Sequence, residues 1–163
     1  MNAPGKHVGG WTRTLESIGA MPAFLEAALH EAGEENFLER PSDEDFSLVE
    51  HACHLRDLER EGYLARVRRI LRENVPRLED FDGPAIAAAR DYRSQVALGA
   101  ARVFAASGRE LLGILSTLEP ADFARTATFD ARSITLAELV GMIDAHDGEH
   151  RAEIERILDG IEG

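Results

Sequence analysis
The chain has one cysteine, Cys53, so neither an internal disulfide nor a thiolate-rich zinc site can form. No segment approaches the ~20 consecutive apolar residues that span a bilayer, and no apolar run follows the N-terminus as a signal peptide would. Cationic side chains are scarce: 18 Lys and Arg stand against 30 Asp and Glu, a formal net charge of −12. Such a surface repels phosphate, which speaks against a nucleic-acid partner and against an anionic membrane surface. Strand-like alternation is nearly absent. There is no glycine-rich phosphate loop, nucleophile elbow, internal repeat or low-complexity tract. Together these absences point to an enzyme or binding protein of the reducing cytoplasm that uses neither nucleic acid nor membrane.

What is present reads as helix. A length of 163 residues, 44% hydrophobic and 29% charged, is enough for one domain with a real core. Residues 1–10, with Pro4, Gly5, Gly9 and Gly10, read as a flexible tail, and 11–163 as a single domain. From Trp11 the apolar spacing is helical through Leu15, Ile18, Met21, Leu25 and Leu29, with a break or kink expected near Gly19-Ala20-Met21 because Pro22 cannot donate to the helix ladder, and a stop at Gly33. Residues 34–45 read as a loop. A second helix opens at Ser47, where Ser47-Leu48-Val49-Glu50 matches a capping box, and runs to about Asn74, closed by Pro76. Asp82-Gly83-Pro84 opens a third helix running to about Leu118. After a connection over 119–132, Thr135-Leu136-Ala137-Glu138 caps a fourth helix that reaches Leu158. Four such helices predict an all-α four-helix bundle.

The fourth helix carries the chemistry. Its inward stripe is Leu139, Ile143, His146, His150, Ile154 and Ile157, so two of the six histidines interrupt an apolar face one turn apart. Residues i and i+4 lie one above the other on a helix, and both imidazoles can reach one ion. A histidine of the second helix, His51 or His54, could supply a third nitrogen. Three nitrogens leave coordination positions open, as a catalytic ion requires. Other metal motifs fail: none of the histidines has the glutamate three residues before it that a di-iron bundle uses, and His30-Glu31-Ala32-Gly33-Glu34 lacks the second histidine of a zincin.

Four stretches together resemble the DinB/YfiT-like metalloenzyme family: Phe46-Ser47-Leu48-Val49-Glu50, His54-Leu55-Arg56-Asp57-Leu58-Glu59, Ile134-Thr135-Leu136-Ala137-Glu138-Leu139, and His146-Asp147-x-x-His150. Their order and spacing cover nearly all of the chain after the tail. Phe46 stands where the family often has tryptophan, and Phe129-Asp130-Ala131-Arg132 lacks a histidine that many relatives carry before the last helix. The resemblance implies a metal site between helices 2 and 4, with His54, His146 and His150 as ligands and His51 beside them. It implies a divalent metal ion, zinc or nickel first and iron next, and thiol-dependent S-transfer to a small electrophile. A small-molecule thiol and electrophile are then the expected partners, in a homodimer. The alternative is a non-catalytic, dimeric helical-bundle binding protein whose metal is structural.

Among the neighbours, Glu50, Asp57 and Asp147 could orient the ligands through their second ring nitrogens. Cys53 lies about 100° around the helix from His54 and reads as a packing residue. Arg66, Arg68, Arg69 and Arg72 form a basic face expected to pair with local acids, or to receive an anionic substrate.

Overall fold
The computed structural model describes residues 5–162, with side chains from residue 11 onward. The helices in chain order are α1 (Gly5–Ala32), α2 (Leu48–Asp57), α3 (Leu64–Arg72), α4 (Gly83–Ala89), α5 (Ala97–Leu115), α6 (Pro120–Phe123) and α7 (Leu136–Glu162). A π-helical turn, Leu58–Tyr63, joins α2 to α3, so the pair acts as one long rod. α1 packs on α5 and α7, and α2 packs on the same two, which closes a four-helix bundle.

Local chemistry sets the two helix starts that position the site. Ser47 accepts from Glu50 N while Glu50 Oε1 accepts from Ser47 N at 3.2 Å, the reciprocal capping box expected. Thr135 and Glu138 do the same ahead of α7, at 3.0 and 3.1 Å. Asp82 caps α4 through Ala85 N, with Pro84 in the first turn as anticipated.

The core lies in two apolar clusters. One gathers Leu25, Leu29, Leu48, Leu55, Phe104 and Ile154; the other gathers Ile18, Val67, Ile70, Leu111, Leu139 and Ile143. The first half of α7 shares a cluster with the first half of α1, and its second half with the second half of α1, so these neighbours run parallel. α2–α3 likewise runs parallel to α5. Between the clusters lies a layer of buried polar residues: His51, His54, Glu59, Ser107, Asp147 and His150. Pro22 and Gly108 meet at this level, where a Cβ on Gly108 would stand 3.4 Å from Pro22 Cγ.

Four expectations need correction. α1 reaches back to Gly5, into the stretch read as a tail; no proline follows Pro4 until Pro22, and glycines cost a helix only about 1 kcal/mol each. Pro22 does not end α1, which runs on to Ala32, and Gly108 leaves room for the proline ring. The expected third helix is divided: α4 stops at Ala89, a 3₁₀ turn covers Tyr92–Ser94, and α5 starts at Ala97. Asp91 at φ 48° makes the break, a left-handed position that aspartate tolerates better than most residues.

The fourth correction is a small sheet of three strands, β1 (Arg77–Leu78), β2 (Thr126–Phe129) and β3 (Arg132–Thr135). β2 and β3 form a hairpin closed by Phe129 and Arg132, and β1 pairs parallel to β2. The turn residues Asp130 (φ 52°) and Ala131 (φ 60°) are both left-handed, the geometry of a two-residue hairpin, without the Asn-Gly sequence that normally announces it. Among the described residues no helix is long and apolar enough to cross a membrane.

Candidate metal centre
α2 presents His51 and His54, α7 presents His146 and His150, and the four rings converge in the polar layer. His54, His146 and His150 each offer a ring nitrogen within 4.8 Å of the other two. Ring centroids stand 5.6 Å apart for His54–His146, 4.8 Å for His54–His150 and 4.4 Å for His146–His150. His146 Nε2 and His150 Nε2 are 3.2 Å apart. Two nitrogens bound to one tetrahedral ion at about 2.0–2.1 Å would be about 3.3 Å apart, so this spacing suits a shared ion. His54 Nδ1 and His146 Nδ1 are buried with no hydrogen-bond partner among the described residues. Each such orphan costs about 1–3 kcal/mol, and two of them in one polar cluster leave it short of a partner.

Burial sets the charge state. It drives His150 down to about 2, helped by the three neighbouring histidines, His51 to about 3 and His54 to about 4, and it lowers His146 as well. All four imidazoles are therefore neutral near neutral pH, the form that carries a lone pair for a metal. The donor set and its protonation fit a divalent ion. Among the described residues no fourth histidine, cysteine or carboxylate joins the three within the same span, which leaves any bound ion with open positions.

His51 sits differently. Its Nδ1 shares a 2.9 Å hydrogen bond with His150 Nδ1, and its Nε2 stands 3.5 Å from Glu153 Oε2. If His150 uses Nε2 as a ligand, its proton lies on Nδ1 and points to His51. His51 then keeps its own proton on Nε2, toward Glu153. The chain His150–His51–Glu153 thus selects one tautomer at each ring. The same three residues form a second group with metal-binding spacing. Sequence reasoning missed Glu153, although its position three residues after His150 on α7 placed it on the adjoining face.

The other expected helpers are engaged elsewhere. Glu50 accepts from Arg40, Arg93 and the Ser47 cap. Asp57 accepts from Tyr92 Oη at 2.5 Å and from Arg56 at 2.8 Å, and pairs with Arg90 at 3.0 Å. Among the described residues neither carboxylate bonds a histidine. Asp147 is buried beside His146 and receives no hydrogen bond among the described residues; burial raises it to about 7. Glu59, in the π-helical turn, is likewise buried, and is pushed to about 8 by burial and by Asp147. Cys53 packs in the core with its thiol raised to about 11 by burial, and donates to Gln95 Oε1 at 3.6 Å.

Aromatic rings wall the histidines. Phe46 lies 5.6 Å from His51 and 5.4 Å from His54, Phe81 lies 6.0 Å from His54, and Tyr63 lies 6.3 Å from His146. Gly83 presses on His54: a Cβ there would meet Cε1 at 2.8 Å.

Comparison with known proteins agrees with this architecture. The family model of the DinB superfamily matches residues 18–154. Among solved structures, YfiT from Bacillus subtilis superposes with a TM-score of 0.85 at 20% identity, over 93% of this chain and 87% of that one. It is described as a probable metal-dependent hydrolase with an unusual four-helix bundle topology. At this identity the likeness is one of fold. No curated protein matches the sequence.

Proposed function
Because the chain belongs to the DinB superfamily, we propose that it is a metal-dependent enzyme whose His54, His146 and His150 hold a divalent ion, zinc or nickel, with iron as the next choice. The observation that carries this reading is the convergence of three neutral imidazoles, two buried and His146 half-buried, with no fourth protein ligand among the described residues. A bound divalent ion would deprotonate a coordinating thiol and bring a coordinated water to a pKa of about 7. We take a small thiol as the nucleophile and a small electrophile as its acceptor, in S-transfer within the reducing cytoplasm.

The residues around the histidines fit that work. Phe46, Phe81 and Tyr63 give apolar walls that exclude water and hold an electrophile against the nucleophile. His51 and Glu153 hold the His150 ring in the orientation a ligand needs. Hydrolysis is the second reading, favoured by the description of YfiT. A third, the ion as a purely structural tie, predicts a closed shell, and three ligands do not close one.

The test loads the purified protein with Zn(II), Ni(II) or Fe(II) and offers 1-chloro-2,4-dinitrobenzene with cysteine or glutathione, and 4-nitrophenyl acetate without thiol. The reading expects metal-dependent conjugation that collapses in His54→Ala, His146→Ala and His150→Ala, each still helical by circular dichroism. Turnover of the ester alone would select hydrolysis. Full metal content in the three variants would remove the site.

A further inference from the structure
Six of the chain's arginines hold carboxylates: Arg40 and Arg93 bind Glu50, Arg56 binds Asp57, Arg69 binds Glu73, Arg90 binds Asp57 and Glu61, and Arg68 binds Glu110. Arg66 differs from them and from the other arginines among the described residues in being buried, with only 8% of its surface exposed. Its Nη2 donates to Glu79 O at 2.9 Å, and no carboxylate among the described residues lies within ion-pair distance; Asp80 acts only at longer range. A buried guanidinium normally finds an anion, because an unpaired charge removed from water costs several kcal/mol. In a chain with 30 acidic residues, a buried arginine left without one is informative.

Its position ties it to the histidines by two routes. The guanidinium carbon lies 5.9 Å from the centre of the Tyr63 ring, and the His146 ring lies 6.3 Å from the same centre. The strap 79–83 begins at the carbonyl that Arg66 holds, passes Phe81 and ends with Gly83 against His54. Arg66 and the histidines are thus the two ends of one short wall, a tyrosine ring apart. Phe129 covers Arg66 from another direction at 4.9 Å, so the guanidinium is bounded by aromatic faces. A flat group suits that setting, and one cation suits a single negative charge. The planar fork has one N–H on Glu79 and others left for a carboxylate. Burial lowers the affinity of Arg66 for its proton, which agrees with a charge that lacks its counterpart.

We propose that the substrate of the histidine centre is a small molecule carrying a carboxylate remote from its reacting atom, and that Arg66 receives that carboxylate. This rests on the histidines as a metal centre, and the experiment separates the two claims. Co(II)-loaded protein is titrated with 6-mercaptohexanoate and with 6-mercaptohexanol, followed by its visible spectrum. The same sulfur meets the ion in both, so the ratio of dissociation constants reads the carboxylate alone. The acid binds at least about tenfold more tightly in the wild type. In Arg66→Met the ratio falls below about twofold with the alcohol's affinity unchanged, and Arg66→Lys keeps part of the preference.

A second measurement needs neither metal nor variant. The Arg66 Nε–H resonance of the metal-free protein shifts on addition of hexanoate and not of hexanol. Equal binding of the two thiols, or a preference that survives in Arg66→Met, overturns the proposal. So does an Arg66 resonance indifferent to hexanoate. A Co(II) spectrum that answers neither thiol, with the Arg66 response to hexanoate intact, overturns the thiol reading of the centre and supports this one.

Discussion
Replacing His51 by alanine tests the tautomer-selecting chain directly. The His51 side chain is 1% exposed and its Nδ1 is 2.9 Å from His150 Nδ1, so no bulk water stands ready to replace it. With His150 Nε2 on the ion, the truncation removes the acceptor that keeps the His150 proton on Nδ1 and leaves that N–H facing only Glu153 Oε2, at 3.8 Å and beyond hydrogen-bond distance. Loss of such an outer partner weakens metal binding by about 10–100-fold, which is about 1.4–2.7 kcal/mol. His54→Ala removes one of the three proposed ligands and should lose far more. His51→Gln keeps an oxygen that can accept from His150 and should recover much of the affinity. Competition with a chromophoric chelator for Zn(II) measures all three variants on one scale. Unchanged affinity in His51→Ala would show that the hydrogen bond does not govern the centre. A loss equal to that of His54→Ala would make His51 a ligand instead.

Gly83→Ala should drive a methyl group to 2.8 Å from His54 Cε1 and force that ring off its rotamer, weakening Zn(II) binding by up to about tenfold at unchanged helicity. Chelator competition and circular dichroism check both halves. Asp57→Ala should do the opposite: it strands the buried Tyr92 hydroxyl and leaves Arg56 with Gln95 alone, lowers stability by about 1–3 kcal/mol in urea unfolding, and leaves the metal stoichiometry intact.

The metal-free protein should be most stable near about pH 6.5. Folding lowers the buried histidines to about 2–4, so their contribution is complete above the usual 6.5 and is lost as pH falls toward those values. Folding raises Asp147 to about 7 and Glu59 to about 8, so theirs is complete below the usual carboxylate range and is lost as pH rises through 7–8. Melting temperatures from pH 4 to 9 should rise and then fall; a flat profile refutes the burial of these groups.

The amino-acid order by itself determined whatever depends on a few neighbouring residues. Ser47 and Glu50, and Thr135 and Glu138, cap their helices because the partners sit three residues apart. His146 and His150 share a face because α-helical geometry puts i and i+4 there, and their interruption of an apolar stripe was visible before any packing was known. Between His51 and His54 periodicity left the choice open, and only the resemblance of the His54-Leu55-Arg56-Asp57-Leu58-Glu59 stretch to the family implied His54.

What tertiary structure decided involves groups far apart in the chain. His51 and His150 are 99 positions apart, and only the packing of α2 against α7 makes them partners. Asp57 and Glu50 looked like candidates to orient a histidine, yet Tyr92, Arg90, Arg93 and Arg40 claim them from other segments. The hairpin was hidden because its stability lies in cross-strand bonds, and Asp130-Ala131 adopts a turn it does not advertise. Pro22 stays inside α1 where a bare sequence predicts a break, since Gly108 of α5 makes way for it. Arg66 reads in sequence as one of a run of surface cations; the strap 79–83, Tyr63 and Phe129 bury it. Helical periodicity states which face turns inward, but the partner waiting there is chosen by whichever segment folds against it.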